Sequence, residues 1–389
     1  MIILFFTLIF IIFYTYIGYG IILYIIVKIK ESIYHKAPVT DYTEWPSVSL
    51  LIAAYNEEDI ISSKMDNCFA LDYPKDKLHI IWVTDGSTDR TNDLLHEYER
   101  VNILFSPERK GKTAAINRAM PHIETPLTIF TDANTMLNTQ AIKEIALQFA
   151  DPSVGCVAGE KRVIASDEKE SASVGEGIYW KYESFLKDLD SRLYSVVGAA
   201  GELFAIRTSF YIQMPVDTLL DDFIQSLEIA MSGFRTAYCK TAYACETGSE
   251  NIEEEKKRKI RIAAGGLQAV YRLRSLLNIF RYGVLSFQYI SHRVLRWTLT
   301  PVALILLIPL NIYICLFNDN QFYMTVLILQ ILFYSAAITG YILSVRGKPV
   351  KLLYAIYYFV FMNLNVFRGY TYLRRRKGNG AWDKSKRSK

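Results

Sequence analysis

Cysteine is scarce in this sequence, and its five residues lie far apart. They show neither the pairing of a disulfide framework nor the close spacing of metal ligands, which argues against both kinds of site. Cysteines used in this way are typical of a protein in a reducing compartment. The five residues are Cys68, Cys156, Cys239, Cys245 and Cys315.

Charged residues are absent from positions 1–27, which consist mainly of long apolar runs. At a rise of about 1.5 Å per residue, a helix of this length spans a bilayer of about 30 Å. No small-residue cleavage site follows the run, so a retained membrane helix is favoured over a cleaved signal peptide. Two further apolar spans are predicted at 299–317 and 322–345, and a less apolar one at 350–370.

Composition divides the chain into five predicted segments. They are a membrane helix (1–30), a soluble domain (31–255), basic amphipathic helices at a membrane interface (256–297), C-terminal membrane helices (298–370) and a basic tail (371–389). A basic amphipathic helix beside a membrane span is typical of the membrane surface. Nucleic-acid binding by the basic residues is the less favoured alternative, because the aromatic residues there flank a membrane anchor.

The distribution of basic residues predicts orientation. Lys28, Lys30 and Lys36 follow the first span, which predicts a multi-pass protein of the cell (inner) membrane with a cytoplasmic soluble domain. The tail is also strongly basic, and it would lie outside if the last apolar segment crossed the membrane. An interfacial or re-entrant last segment with a cytoplasmic tail is therefore slightly favoured. The polar residues Asn363 and Asn365 within this segment also make it a poor lipid-facing helix.

Strand-like runs alternate with helical spacing through the soluble segment, which predicts an α/β fold with a mostly parallel sheet. The predicted strands are 48–54, 78–84, 101–105, 127–131, 154–164, 202–207 and 236–243. The predicted helices are 57–70, 89–100, 112–120 and 169–190.

Three strand-like runs end on acidic residues: the first at Asp85, the second at Asp132, and Leu219-Leu220 at Asp221-Asp222. In open α/β sheets, ligands bind beyond the carboxyl ends of the strands. These acids are therefore candidates for holding a nucleotide, a metal and a proton.

Each acidic motif also has a purely structural interpretation. Asp132 and Asn134 offer two oxygen ligands suited to Mg²⁺ or Mn²⁺, but an Asx turn gives the same pattern. Asp221 and Asp222 could include a proton acceptor, although acids at a helix start are commonly caps. Asp85 precedes Gly86 in what could equally be an ordinary turn.

Three basic residues, Lys112, Arg258 and Arg261, are candidate phosphate ligands, each of which could instead be a solvated surface charge. Lys112 is the best placed, because it follows Gly111 near a predicted helix start. The segment lacks the upstream glycine that a P-loop requires, which excludes a Walker-type NTPase.

Taken together and in this order, the motifs resemble the membrane-bound family 2 glycosyltransferases, which have the GT-A fold. The resemblance covers nearly the whole chain, including its membrane anchors. It implies substrate binding by the opening strand and its end (Ala53, Tyr55, Glu57), a uracil-binding turn at Asp85, the Gly-Lys helix at Lys112, a metal site at Asp132 and Asn134, an acceptor-side segment at Gly201 and Glu202, and an acidic pair, Asp221 and Asp222, of which the second is the catalytic base.

Two departures from the family pattern stand out. Asn134 replaces the second metal-binding Asp, which lowers the charge of the site by one. Polymer synthases carry Gln-x-x-Arg-Trp after the base, and here residues 258–262 keep Arg261 but have Ile262 at the Trp position. The second departure puts processive polymer synthesis in doubt.

The resemblance implies inverting transfer from a UDP-sugar to a lipid-linked or glycan acceptor in cell-surface polysaccharide synthesis. It also implies a Mg²⁺ or Mn²⁺ cofactor, contact with membrane lipid, polysaccharide-assembly proteins as partners, and no nucleic acid. The alternatives are a processive β-linked exopolysaccharide synthase and, in another class, a non-enzymatic membrane scaffold or a transporter.

Overall fold

A mixed β-sheet forms the centre of the protein, for which the computed structural model describes residues 1–34, 44–164, 171–248, 252–348 and 350–375. The strands are β1 (Val48–Ala54), β2 (Leu78–Asp85), β3 (Val101–Ser106), β4 (Leu127–Asp132), β5 (Met136–Leu137), β6 (Val154–Ile164), β7 (Leu203–Arg207) and β8 (Arg235–Thr247). They lie in the order β3-β2-β1-β4-β7-β6-β8-β5.

The first half of the sheet is parallel, as predicted. β1 pairs with both β2 and β4, and β2 pairs with β3. β1 is apolar apart from Ser49 because both of its faces are covered: Leu50 and Ile52 belong to one core cluster and Leu51 to another. β7 then runs antiparallel to β4 and β6, so the α/β prediction is confirmed for a sheet that is mixed rather than uniformly parallel.

Helices flank the sheet and continue into the membrane region. They are α1 (Ile2–Phe13), α2 (Tyr19–Ile33), α3 (Ile61–Phe69), α4 (Thr91–His96), α5 (Lys112–Ala119), α6 (Ala141–Gln148), α7 (Ser171–Leu193), α8 (Asp221–Met231), α9 (Ile252–Arg272), α10 (Ile279–Tyr282), α11 (Val284–Tyr289), α12 (Leu295–Trp297), α13 (Leu299–Phe317), α14 (Gln321–Val345) and α15 (Lys351–Arg375). α1 and α2 are joined by a π-helical turn, Tyr14–Gly18.

Some predicted elements differ from the observed ones. Leu219-Leu220 is not a strand but the loop before α8, so that prediction was wrong. These two leucines pack against Gly265 of α9 rather than within the sheet. The helix predicted at 89–100 is only the short α4. β5 and α6 have no predicted counterpart.

Three helices of the described residues are long and apolar enough to cross a membrane: Ile2–Ile33, Leu299–Phe317 and Gln321–Val345. They correspond to the first three predicted spans. α15, the predicted interfacial or re-entrant segment, does not reach the same hydropathy, and its Asn363 and Asn365 are buried against protein. The basic tail beyond residue 375 lies outside the described residues.

A buried polar network joins the first candidate membrane helix to α7, which packs beside the sheet. Asp190 of α7 accepts a hydrogen bond from the Tyr19 hydroxyl at 2.5 Å and another from Gln288 at 3.0 Å, and it lies 2.6 Å from His292 Nδ1. About two turns away on α7, Glu183 pairs with Arg293. Because these polar groups satisfy one another away from water, they fix how the membrane helices sit beside the sheet.

Several basic residues of the predicted interface segment pair with acids inside the protein. Arg258 and Lys259 are buried on α9 and both approach Glu255. Arg272 pairs with Asp217 at 2.8 Å. The placement of this segment at a membrane surface stays a prediction.

Candidate active site

The carboxyl ends of three parallel strands meet at one edge of the sheet. Ala53 lies opposite Asp132 across β1 and β4, and Ala54 lies opposite Thr84, the residue before Asp85, across β1 and β2. Parallel pairing therefore brings together two acids that are far apart in sequence.

Asp85 organises the loop that leads into α5. Its buried carboxylate accepts hydrogen bonds from the main-chain N–H groups of Lys110 at 3.1 Å and Gly111 at 2.6 Å. Gly86 follows with φ near +70°, and a Cβ there would lie 2.7 Å from the main-chain nitrogen of Arg109. Only glycine fits this turn, and the turn sets the start of α5.

Lys112, the first residue of α5, links the edge of the sheet to the acidic pair. Its ammonium lies 2.5 Å from Asp132 Oδ1. A Cβ at Gly201 would lie 3.3 Å from both Lys112 Nζ and Asp222 Oδ2. The absence of a side chain at Gly201 thus allows the Lys112 ammonium and the Asp222 carboxylate to approach the main chain there.

The pKa is raised at both ends of this arrangement, which disfavours the charge of the acid and favours the charge of the base. Burial and the neighbouring Asp221 carboxylate raise the pKa of Asp222 to about 7, although Lys112 opposes them. Desolvation works against the charge of Lys112, but Asp132 and Asp221 outweigh it and raise the pKa of that ammonium. Near neutral pH the cleft therefore holds a permanent cation beside a carboxyl that can take or lose a proton.

The donor atoms near Asp132 suit a hard divalent cation. Asp132 and Asn134 are partly exposed at the strand end and offer a carboxylate and an amide oxygen, which fit Mg²⁺ or Mn²⁺ that shares its coordination with substrate phosphates. Within the described part of the chain, no group of three or more His, Cys, Asp or Glu side chains could hold a metal by itself.

Glu202 is held by a buried ion-pair cluster. The Lys161 ammonium contacts the carboxylates of both Glu202 and Glu246. Burial would raise the pKa of Glu202, but the charges of Lys161 and Arg258 outweigh it and hold that pKa well below its usual range. Glu202 is therefore a fixed negative charge at the wall of the cleft.

A cleft of about 210 Å³ collects most of the predicted site residues. Those that line it are Lys112, Asp132, Gly201, Glu202, Asp221, Asp222, Arg258 and Arg261. Ala53, Tyr55, Glu57, Asp85 and Asn134 are not among its lining residues. The second group belongs to the ends of β1 and β2 and to the loops after β1 and β4, beside the cleft.

Those loops are tied to one another. Asn56 adopts a left-handed conformation with φ of 52°, accepts a hydrogen bond from Thr88 N at 2.8 Å, and donates its own N–H to Ser87 at 3.1 Å. The Arg109 guanidinium lies 3.8 Å from the centre of the Tyr55 ring. One face of the Tyr55 ring is thus covered by this guanidinium, a cation–π contact that joins the loop after β1 to the segment before α5.

The cleft is also lined by three residues that belong to none of the sequence motifs: Trp180, Lys187 and Trp297. Trp297 approaches α9 so closely that a Cβ at Gly266 would lie 2.4 Å from its ring. The Gly265-Gly266 pair in the sequence indicates that another side chain packs closely against α9, but it does not indicate which one. The missing motif Trp at Ile262 therefore does not leave the cleft without tryptophan.

Comparison with protein families gives a match over most of the soluble domain. A model described as glycosyltransferase like family 2 matches residues 46–265 of the 389-residue chain. The match covers the sheet and every predicted site residue. It confirms the resemblance inferred from the motifs, and with it an enzyme of the glycosyltransferase class.

Individual relatives agree with this assignment. Poly-β-1,6-N-acetyl-D-glucosamine synthase of Staphylococcus aureus (strain MSSA476) is 26% identical over 63% of this chain, and the match spans only 60% of that relative. A probable glycosyltransferase, YdaM of Bacillus subtilis (strain 168), is 35% identical over 31% of each chain.

A solved structure resembles nearly the whole fold. The mannosyltransferase PcManGT from Pyrobaculum calidifontis, in complex with GDP-Man and Mn²⁺, superposes with a TM-score of 0.72 over 96% of this chain and 98% of its own, at 20% identity. At this identity the likeness establishes the fold, which confirms the predicted GT-A architecture; candidate membrane helices precede and follow its sheet.

We expect Lys161→Met to destabilise the protein by about 3–5 kcal/mol at neutral pH, because it leaves two buried carboxylates without their shared cation. Buried carboxylates without a cation have raised pKa values, so protonation removes their repulsion as the pH falls. The difference in free energy of unfolding between Lys161→Met and wild type should therefore shrink towards about pH 5. Thermal unfolding in detergent between about pH 5 and 8 measures this.

The matched control is Lys143→Met, which breaks a more exposed pair with Asp72. It should destabilise the protein far less than Lys161→Met does, with little dependence on pH, because solvent screens an exposed pair. If the stability lost in Lys161→Met stayed constant or grew on acidification, the ion-pair cluster of Lys161 with Glu202 and Glu246 would be wrong.

Proposed function

We propose that this chain, which belongs to the glycosyltransferase-like family 2, transfers one sugar from a UDP-sugar to a hydroxyl of a lipid-linked or glycan acceptor. Transfer would invert the configuration of the anomeric carbon. The product would serve cell-surface polysaccharide synthesis, for which polysaccharide-assembly proteins are further proposed partners.

One observation carries the proposal: Asp222 and Lys112, which pairs with Asp132, both border the position where Gly201 lacks a side chain. A leaving group needs positive charge, and an attacking hydroxyl needs a base on the other side of the reacting carbon. Asp222 suits the second role, because its pKa of about 7 leaves it able to accept a proton near neutral pH.

In the proposed reaction, the acceptor oxygen attacks the anomeric carbon while its proton passes to the Asp222 carboxylate. The new bond joins this oxygen to the sugar, and the bond from the sugar to the UDP oxygen breaks. The electron pair leaves with UDP, whose growing charge would be stabilised by Lys112, Arg258 and Arg261. Asp221 would act on Asp222, by keeping its pKa high.

The donor is proposed to bind through the loops beside the cleft. Tyr55 and Asp85 would contact the base, with Ala53 and Glu57 shaping that end of the site. Gly201 and Glu202 would face the acceptor. A Mg²⁺ or Mn²⁺ ion bound by Asp132 and Asn134 would offset negative charge on the diphosphate.

The proposed location is the cell (inner) membrane, with the catalytic domain in the cytoplasm. Lys28 and Lys30 at the end of the first candidate span support this orientation. Nucleotide-sugar donors would then reach the cleft directly from the cytoplasm.

A processive β-linked polymer synthase is the second candidate, and the Staphylococcus aureus relatives favour it. Against it stand Ile262 at the motif Trp position and the three candidate spans, few for a polymer channel. Product length separates the two, because single additions support our proposal and long chains support the alternative.

The direct test is UDP release from a panel of UDP-sugars, with Mn²⁺ or Mg²⁺ and with EDTA. We expect release from at least one donor, with the rate lost on chelation and restored by metal. Asn134→Asp should tighten the binding of Mn²⁺, because it adds a negative charge to the site. A non-enzymatic scaffold or a transporter would release no UDP under any of these conditions.

Replacing the proposed base tests its role. Asp222→Asn should lower the transfer rate by about 10²–10⁴-fold while UDP affinity changes little, because the amide cannot accept the proton. Glu228→Gln on the same helix is the matched control, since Glu228 does not line the cleft, and it should transfer at the wild-type rate. Near-normal turnover by Asp222→Asn would exclude this residue as the base.

The pH profile of kcat/KM gives an independent test. Activity should rise through about pH 7, where Asp222 loses its proton. Asp221→Asn removes a like charge and lowers the pKa of Asp222, so the rising limb should move to lower pH by about one unit. The control Asp188→Asn, on the surface, should leave the rising limb at its wild-type pH. A rising limb that Asp221→Asn did not move would refute the electrostatic coupling between Asp221 and Asp222.

A further inference from the structure

A second cavity lies directly below the cleft, on the side of the membrane helices. Its volume is about 340 Å³, within the range of sites that bind small molecules. Its walls come from the first membrane helix (Tyr16), α7 (Tyr182), α9 (Ile262) and α15 (Phe359 and Val366).

The lining of this cavity is aromatic or aliphatic apart from three basic residues and Asn363. Asn363 is already occupied, because its oxygen accepts a hydrogen bond from Tyr16 at 2.7 Å and its nitrogen donates one to Phe359 O at 2.9 Å. No acidic side chain is among the lining residues within the described ranges. The cavity is therefore suited to a hydrocarbon rather than to a sugar.

The cavity and the catalytic cleft share part of their walls. Five residues line both: Lys259, Ile262, Arg293, Trp297 and Met362. One molecule could therefore extend from the acidic pair, past Trp297, to the first membrane helix.

Basic side chains lie at the junction between the two spaces. Lys259 and Arg293 line both of them, and Arg296 lines the cavity. Arg293 and Arg296 both contact the carboxylate of Glu183, and Lys259 approaches Glu255. These cations contribute a positive field where the polar cleft meets the apolar cavity.

A buried lysine adds to this field from the cleft side. Lys187 is almost wholly buried and lines the cleft, and burial lowers its pKa. Among the residues that the structure describes, it lies 5.5 Å from the centre of the Trp180 ring and makes no ion pair. A buried ammonium in that position favours an anionic ligand nearby.

We propose that this cavity binds the hydrocarbon chain of the acceptor, and that the acceptor is a lipid whose phosphate lies at the junction beside Lys259 and Arg293. This inference rests on the proposed function and names its acceptor class: a sugar joined through phosphate to a long apolar chain. The sugar hydroxyl then reaches Asp222 while the chain stays at the level of the membrane. The membrane anchor thereby supplies one wall of the acceptor site.

The test uses a farnesyl phosphate probe with a photoreactive diazirine in its tail, and the matching farnesol probe without phosphate, on the full chain in lipid nanodiscs. Labelled residues are mapped by mass spectrometry. We expect labels on the cavity walls of α9 and α15, and about tenfold stronger labelling by the phosphate probe. Inorganic phosphate in excess should not compete, because it lacks the chain.

Two variants separate the chain site from the charge site. Ala355→Trp fills the cavity and should lower labelling by both probes about tenfold, whereas Leu352→Trp, on the exposed side of α15, should not. Lys259→Met should remove the preference for the phosphate probe and keep labelling by farnesol. Lys256→Met, on the same helix but outside the cavity, should keep the preference.

UDP binding, measured on every variant, shows that each one is folded, and it is independent of the lipid site. Labelling confined to the outer surface of the helices, or unaffected by Ala355→Trp, overturns the proposal even where UDP release is normal. An equal preference for phosphate in Lys259→Met and wild type overturns the charge assignment. Absence of UDP release from every donor, with the labelling pattern intact, refutes the proposed function instead.

Discussion

Parallel pairing of β1 with β2 and β4 is the constraint on which the candidate site depends. It ends three strands at one edge, so that Asp85 and Asp132 come to lie on either side of β1. Asp85 then sets the loop that starts α5, and α5 carries Lys112 to Asp132. The rest of the cleft is assembled around this ion pair by elements from the second half of the chain.

Electrostatic balance decides what the cleft can do. Lys112 stays charged because acids surround it, whereas Asp222 is pushed towards neutrality by burial and by Asp221. Glu202 is kept ionised by Lys161 and Arg258 and is therefore a poor proton carrier. Among these acids, environment rather than residue type singles out Asp222 as the group able to exchange a proton near pH 7.

The sequence was sufficient to predict the elements whose signals are local. Alternating strands and helices, the glycine at position 86 and the acids at strand ends each follow from short patterns, and residues such as Lys112 and Asp222 do meet in one cleft. Leu219-Leu220 misled because apolar residues that pack on a distant helix look like a short strand. Trp180, Lys187 and Trp297 could not be predicted, because they reach the cleft through long-range packing of α7 and α12 that no local pattern encodes.

The central claim is a single displacement in which Asp222 activates the acceptor opposite the departing UDP. The most direct test is the anomeric configuration of the product, determined by NMR from the coupling constant of the transferred sugar. Our account predicts a β-linked product from an α-linked UDP-sugar. An α-linked product would mean retention of configuration and would contradict it.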